Sequence, residues 1–330
     1  VKVLVLLGQL KHSRVDNAQA TIIAEELARG GELYKKEVYF NMFIRLPNFL
    51  LTFLPVWLLV KHIDDFKDVE DCDAIVVSGK KMIRYAKHLR KFAFPNARIV
   101  QIGNTHCPLA KTDILLKQAT SKRVWPQKLK IDVNGLICNE LDEKVALAET
   151  DRFKKIKSYL KGEFIGVFIN GKSLMFDFLQ DDVIAFAKTI SRISYLMKMP
   201  LLIFSEKNVN KLAVKLIKEN LDCSYYFYDK RENPDENPKV AFMYWSSYYV
   251  LIGNSINDHS EYLSQGKPSY VFLCKNNTKK YKDFINYAIN NGSCVELNTE
   301  NDKLTYYEPK KLNDIKCIVG EIKKMVKQDV

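Results

Sequence analysis

Residues 248–273, YYVLIGNSINDHSEYLSQGKPSYVFL, decide how this chain is built. Tyr248–Ile252 is a β-branched and aromatic run that predicts a buried strand. Gly253 ends it, and Ser255 with Asp258 three residues on makes a capping-box start for a short helix. Gly266, Lys267 and Pro268 stop that helix and release a second strand, Ser269–Leu273. A polar loop entering a helix at the end of a parallel strand is where open α/β sheets bind phosphates and nucleotides. Glu261 falls about one turn inside the helix, a position from which a carboxylate takes the two hydroxyls of a ribose. The same residues also serve a well-capped βαβ unit that holds no ligand.

The pattern of this unit recurs on both sides. Upstream lie strand Phe164–Ile169, helix Asp177–Met197, strand Leu201–Phe204, helix Asn208–Asn220 and strand Ser224–Tyr228. The first part of the chain offers strand Val1–Leu7, helix Ala18–Arg29, and strands Lys36–Asn41, Ala74–Ser78 and Arg98–Ile102, with helix Lys80–Phe92 between the last two. Near-continuous apolar strands alternating with helices predict parallel sheets covered on both faces. At 330 residues the chain is long for one core. The expectation is an α/β protein of two doubly wound Rossmann-type domains facing a cleft. Domain one is residues 1–150 and domain two 151–330, with the charged stretch Glu140–Lys161 as the crossing. The last helix, Lys310–Gln328, has the option of packing back on domain one.

Composition excludes several classes. Seven scattered cysteines (72, 107, 138, 223, 274, 294, 317) show no CxxC pair, which speaks against a disulfide framework and a zinc site and fits a reducing cytoplasm. A strand at the start leaves no place for a signal peptide, so the chain is expected to be cytoplasmic. The net charge of +12 suits anionic substrates or an anionic membrane surface. No DNA- or RNA-binding motif accompanies it, so nucleic acid is not expected as a partner.

Two segments compete for function. Gly166–Ser173 fits the P-loop pattern GxxxxGK[ST], yet its spacer Val167-Phe168-Ile169 is itself the apolar strand. The better reading makes Asn170–Ser173 a turn after the first strand of domain two, with amides free to meet a pyrophosphate. An ATPase at Lys172 stays open as a third reading. Phe43–His62, FIRLPNFLLTFLPVWLLVKH, is almost wholly apolar from Leu46 to Val60, is broken by Pro47 and Pro55, and is too short to span a bilayer. It is either a buried helix of the first core or a protrusion dipping into a membrane face. The second alternative exposes Phe49, Leu50, Phe53, Leu54 and Trp57, with Arg45, Lys61 and His62 meeting lipid phosphates.

Several short motifs, in order, resemble one family. Leu46-Pro47-Asn48-Phe49-Leu50-Leu51 resembles its RLPN signature, and Asn17-Ala18-Gln19-Ala20 its first-helix NQA. Ala74–Lys81, Val100-Gln101-Ile102 and Ile169–Ser173 are similar to its strand-and-turn motifs. Gly253–Phe272 matches at Gly253, Ser255, Ser260, Glu261, Gly266, Lys267 and Pro268. The family is the mitochondrial fission family of the elongated-mitochondria type, with plant and bacterial members. The chain departs from it at Asn170, at Asn254 and in the loop Gly8–Asp16.

The resemblance implies a GT-B-like protein, related to nucleotide-sugar glycosyltransferases that work at membranes. An epimerase activity is disfavoured, on this reading, by the two-domain pattern. The expected activity is metal-independent transfer of a sugar from a UDP- or ADP-linked donor to a membrane-associated, lipid-linked or envelope glycan acceptor, at the inner membrane face. No cofactor and no metal are expected. The donor side comprises Asn170, Gly171, Lys172, Ser173, Ser205, Lys207, Gly253, Asn254, Ser255, Asn257, Ser260 and Glu261, with the helix dipole near Ser255–Asn257 facing the diphosphate. Positive groups there replace a divalent cation. An acceptor hydroxyl needs a general base, for which His12 and Asp16 are the candidates. His106 and Asp113 stand behind them, and His259 is expected to cap or line the donor site. The alternative is a scaffold that keeps the fold, sits on a membrane and recruits a protein partner, as plant members are linked to a dynamin-like fission protein.

Overall fold

Consecutive apolar residues drive the formation of two sheets. Val3–Leu6, Ala74–Val77 and Phe164–Ile169 are buried at every position, so each strand must be covered on both faces. The computed structural model describes residues 1–9, 13–45, 56–63, 66, 68–79, 81–103, 112–120, 129–171 and 177–327; for Ile44, Arg45, Trp57, His62 and Ile63 it describes the backbone alone.

The first unit spans Val1–Cys138 and Asn313–Val330. Its strands are β1 (Val3–Gln9), β2 (Leu33–Phe40), β3 (Val60–Ile63), β4 (Ala74–Ser78), β5 (Arg98–Ile102), β6 (Ile114–Gln118) and β7 (Leu129–Val133). They lie in the order β3-β2-β1-β4-β5-β6-β7, all parallel except β3, which runs antiparallel to β2 at the edge. Helix α1 (Arg14–Leu27) packs Ala20, Ile23, Ala24 and Leu27 on one face. The short α2 (Val56–Leu59) and α3 (Met82–Phe92) lie on the other face, where Leu59, Met82, Ile83 and Leu89 are buried.

The second unit spans Asn139–Leu312. It opens with α4 (Glu143–Arg152) and α5 (Lys154–Tyr159), followed by strand β8 (Phe164–Ile169) and helix α6 (Gln180–Met197). Strand β9 (Leu201–Ser205), helix α7 (Lys211–Glu219), strand β10 (Tyr225–Asp229) and helix α8 (Lys239–Trp245) continue it. Strand β11 (Ser246–Ile252), helix α9 (Ile256–Leu263), strand β12 (Ser269–Phe272), helix α10 (Lys279–Asn290) and strand β13 (Val295–Glu296) complete it. The sheet is parallel throughout, ordered β10-β9-β8-β11-β12-β13. Counted from β8, that is the 3-2-1-4-5-6 order of a dinucleotide-binding sheet. Phe186, Ile190, Ala213 and Ile217 of α6 and α7 fill one face, and Phe242, Tyr262, Phe284 and Ile285 of α8, α9 and α10 fill the other.

The division falls at 138/139 and not at 150/151. Glu140–Lys161 is not a linker. Asp142 caps α4 by accepting from the Lys144 and Val145 amides, and Phe153 and Ile156 are buried with Phe242 and Met243 in the second core. Charge covers only the outer faces of these helices. The last helix, α11 (Ile315–Lys327), belongs to the first unit, with Ile318, Val319, Ile322 and Val326 buried against α1. Asn313 fixes the re-entry: its Nδ2 donates to the Asn134 and Leu136 carbonyls, both at 2.9 Å, and its Oδ1 accepts from the Asn134 amide at 2.9 Å.

Candidate functional site

In each sheet the chain leaves the central strands in opposite directions, and that switch point is where open α/β sheets bind ligands. In the second unit the switch lies between β8 and β11. Asn170 and Gly171 follow one strand, and Gly253, Asn254 and Ser255 the other. The two turns press together. Gly253 has φ +136°, and a Cβ there would fall 2.1 Å from the Asn170 carbonyl oxygen. A Cβ on Gly171 would fall 2.1 Å from Asn208 Oδ1, so both positions require glycine.

The predicted donor residues divide by role. Ser255 is the N-cap of α9 and accepts from the Asp258 amide at 3.3 Å. Asn254 is occupied: its Oδ1 accepts from the Thr278 amide at 3.0 Å, from Thr278 Oγ1 at 3.2 Å and from Asn277 Nδ2 at 3.3 Å. It ties the β11 turn to the start of α10. Ser260 is buried and bonds back to the Ile256 carbonyl at 2.6 Å, a packing role. Asn257 and Lys207 are exposed, and Ser205 is buried at the end of β9. Lys172 and Ser173 lie outside the described residues.

Glu261 sits in the second turn of α9, its side chain 40% exposed, and its Oε2 is 2.6 Å from Lys239 Nζ. Lys239 begins α8 and lies 5.0 Å over the ring of Tyr262. A second pair, Lys230 with Glu206 Oε2 at 2.9 Å, follows β10 and β9. Neither lysine stands in a sequence motif: Lys230 lies in the loop Asp229–Pro238 and Lys239 opens the helix after it, so only their place after β10 marks them.

His259 does not line the site. It is fully buried, its Nδ1 is 2.6 Å from Tyr281 Oη, and burial pushes its pKa down to about 3. Lys267, of the Gly-Lys-Pro stop, is a structural cap. Its Nζ donates to the carbonyls of Met243 (2.8 Å), Tyr244 (2.9 Å) and Ser246 (2.8 Å), at the C-terminal end of α8.

The first unit has an equivalent mouth between β1 and β4. Asn17 braces it, donating to the Gly8 carbonyl and accepting from the Gly8 amide, both at 3.0 Å. Asp16 is in the first turn of α1, where Ser78 Oγ donates to its Oδ1 at 3.3 Å. Burial pushes its carboxyl above the usual range, with the Ser78 bond opposing. Gly79, at φ +83°, leaves room for it, since a Cβ there would stand 2.7 Å from Asp16 Oδ2.

This architecture can be set beside known proteins. The family model described as mitochondrial fission ELM1 matches residues 16–326. The chain belongs to the mitochondrial fission ELM1 family. An uncharacterized protein of Rickettsia prowazekii (strain Madrid E) is 26% identical over 92% of this chain and 94% of its own length. Among solved structures, the UDP-GlcNAc 2-epimerase from Methanocaldococcus jannaschii is similar with a TM-score of 0.53 at 10% identity, covering 98% of this chain and 100% of that one. Trehalose-6-phosphate from E. coli bound with UDP-2-fluoro glucose aligns at a TM-score of 0.46 and 10% identity, covering both chains fully. The epimerase likeness shows a GT-B-type fold of two Rossmann-like units. It also removes the argument that two domains disfavour an epimerase.

This ELM1-family chain carries no phosphate loop at Gly166. Gly166 and the spacer Val167–Ile169 lie within β8, and a Cβ on Gly166 would meet Ser246 Oγ at 2.6 Å. The first P-loop glycine is thus strand packing, not a phosphate loop. Asp113 precedes β6 at the opposite, N-terminal edge of the sheet, where its Oδ2 accepts from the Ile99 amide (2.9 Å) and Arg90 Nη1 (2.6 Å). It is no substitute base. Asp71-Cys72-Asp73 has Asp-x-Asp spacing but lies on that same edge, with Asp73 accepting from the Lys2 amide at 2.7 Å. No group of three or more His, Cys, Asp or Glu placed to hold a metal occurs among the described residues.

His12, His106, Phe49, Leu50, Phe53 and Leu54 lie outside the described residues. At the margins of the apolar segment, Met42, Phe43 and Lys61 are exposed, whereas Leu59 and Val60 are buried in the first core. Val60–Ile63 is therefore the edge strand β3, which corrects the protrusion at its C-terminal end. No described helix is long and apolar enough to cross a membrane.

Proposed function

We propose that the second unit binds a nucleoside diphosphate sugar, UDP- or ADP-linked, at the C-terminal edge of its sheet, and that the protein transfers the sugar to an acceptor hydroxyl without a metal. The observation that carries this reading is Glu261, a partly exposed carboxylate in the second turn of a helix capped at the switch point, with Lys239 beside it and a second pair, Lys230 with Glu206, after β10 and β9. In this reading Glu261 accepts from the ribose hydroxyls. The diphosphate faces the N-terminus of α9, and the lysines offset the charge that grows on the leaving phosphate. The likeness to a protein described as a UDP-GlcNAc 2-epimerase supports a nucleotide-sugar donor.

An acceptor hydroxyl must lose its proton as the new bond forms, and the raised pKa of Asp16 suits a carboxylate that takes it. A lipid-linked or envelope glycan acceptor on the inner face of the membrane completes the proposal. Thermal stabilisation by UDP-glucose, UDP-N-acetylglucosamine and ADP-glucose tests it. A bound donor at 100 times its Kd adds about 2.7 kcal/mol, and no stabilisation by any of them rejects donor binding.

A second reading has one observation in its favour: Met42 is 76% and Phe43 45% exposed, beside a half-exposed Tyr39. Apolar side chains at the margin of the Phe43–His62 segment suit a peripheral scaffold on an anionic membrane that recruits a protein. Flotation with anionic vesicles, lost in Met42→Ser/Phe43→Ser, combined with no response to nucleotides, would favour it.

A further inference from the structure

Buried polar groups without partners are rare, and each points to something that completes it. Among the described residues of the second unit, these side-chain atoms are Asn170 Nδ2 and Oδ1, Ser205 Oγ, His259 Nε2, Tyr262 Oη and Asn276 Oδ1. Asn170 and Asn276 stand past the ends of β8 and β12, Ser205 is the last residue of β9, and the other two are on α9. Asn170 is the most telling, because it is fully buried and both halves of its amide lack a partner.

Asn170 is held where it is. Its amide N–H bonds to the Ile252 carbonyl at 2.9 Å, and its own carbonyl packs on Gly253. This bond extends the β8–β11 ladder, so alternation puts Asn170 on the same face as Phe168. Tyr262 stacks on Phe168 there with ring centroids 4.2 Å apart, and burial, reinforced by the negative charges of Glu261, Asp258 and Glu206, raises the pKa of its hydroxyl. Ser205 lies on the opposite face with Ile203.

We propose that the Asn170 amide recognises a ligand group that both donates and accepts a hydrogen bond, and not the phosphates. This rests on the donor-binding reading above and names what the site reads. A phosphate oxygen only accepts, so it would satisfy Nδ2 and leave Oδ1 bare. A sugar hydroxyl, or the imide edge of uracil, answers both atoms. A residue that bonds nothing in the empty site and two groups in the filled one adds to discrimination, because a ligand lacking the match leaves the amide unpaired.

Calorimetry with UMP, UDP and UDP-glucose on the full chain and on Asn170→Ala is the test, with Asn170→Leu as the volume-keeping variant should alanine fail to fold. Loss of about 5- to 30-fold confined to UDP-glucose assigns the contact to the sugar. Equal loss for all three assigns it to the uridine part. The ligand-free thermal midpoint should stay or rise, since an unpartnered amide does not hold the fold. A loss that grows from UMP to UDP means phosphate contact and overturns the proposal. Unchanged affinities with a lowered midpoint also overturn it and mean a trapped water. If the unaltered protein binds none of the three, the donor-binding reading itself falls.

Discussion

Lys239 Nζ lies 2.6 Å from Glu261 Oε2, so the carboxylate proposed to take ribose already has a cation. A ribose must share or displace that contact. Because Glu261 is 40% exposed, the pair adds little to stability, about 0–1 kcal/mol. Glu261→Ala is therefore expected to shift urea unfolding by less than about 1 kcal/mol. It should weaken nucleoside diphosphate binding by about 1.5–3 kcal/mol, the worth of charge-assisted hydrogen bonds. Calorimetry showing an unchanged Kd would remove the ribose assignment.

Asp16 gives a pH signature. Its folded pKa is raised, so the folded state favours the protonated carboxyl. The stability this contributes is present in full below the unfolded value of 3.8 and is lost as pH rises through the folded value. At pH 7 the buried charge is a cost that Asp16→Asn removes while keeping an acceptor for Ser78. The variant should melt higher than the parent at pH 7, with the gap narrowing toward pH 4, and should lose sugar transfer. A gap that does not depend on pH would contradict the assignment.

Lys267 offers a purely structural contrast. Lys267→Met strips three carbonyls at the end of α8 of their donor, and about 2–4 kcal/mol of stability should go with it. The measurement is the denaturant midpoint. A loss under about 0.5 kcal/mol would mean that water replaces the ammonium.

Thiol chemistry should sort by burial. Burial pushes Cys72, Cys274 and Cys294 up to about 12, so almost none of each is thiolate at neutral pH. Cys317 is exposed. Iodoacetamide at pH 8 with peptide mapping should label Cys317 first and the three buried thiols only on unfolding. Early labelling of Cys274 or Cys294 would show that the second core opens locally.

Much of the fold was legible because its strands are apolar throughout. Ala74–Ser78, Arg98–Ile102 and Phe164–Ile169 have the bounds that their composition predicts. Strands β6 and β7 were missed: β6 ends in the polar pair Lys117-Gln118, and Leu129–Val133 alternates buried with exposed residues at the sheet edge. Helix α4 was hidden by its charged outer face, since only Ala146 is buried. At the site, the turns at Gly171 and Gly253 could be read because close approach demands glycine. Lys239 and Lys230 could not, because their meeting with Glu261 and Glu206 depends on strand order, which local sequence does not encode.

The first unit is interrupted in sequence: its core is closed by α11, residues that follow the whole of the second unit. Ribosomes deliver a chain from its N-terminus, and domains usually fold in that order. Here the order must invert. The continuous span Asn139–Leu312 emerges complete while the earlier half still awaits Ile318, Val319, Ile322 and Val326. Those four side chains are worth on the order of 1.5–3 kcal/mol each, a large share of the roughly 5–15 kcal/mol that holds a domain. Until residues 315–327 arrive, the face of the β1–β7 sheet beside α1 keeps part of its apolar surface uncovered.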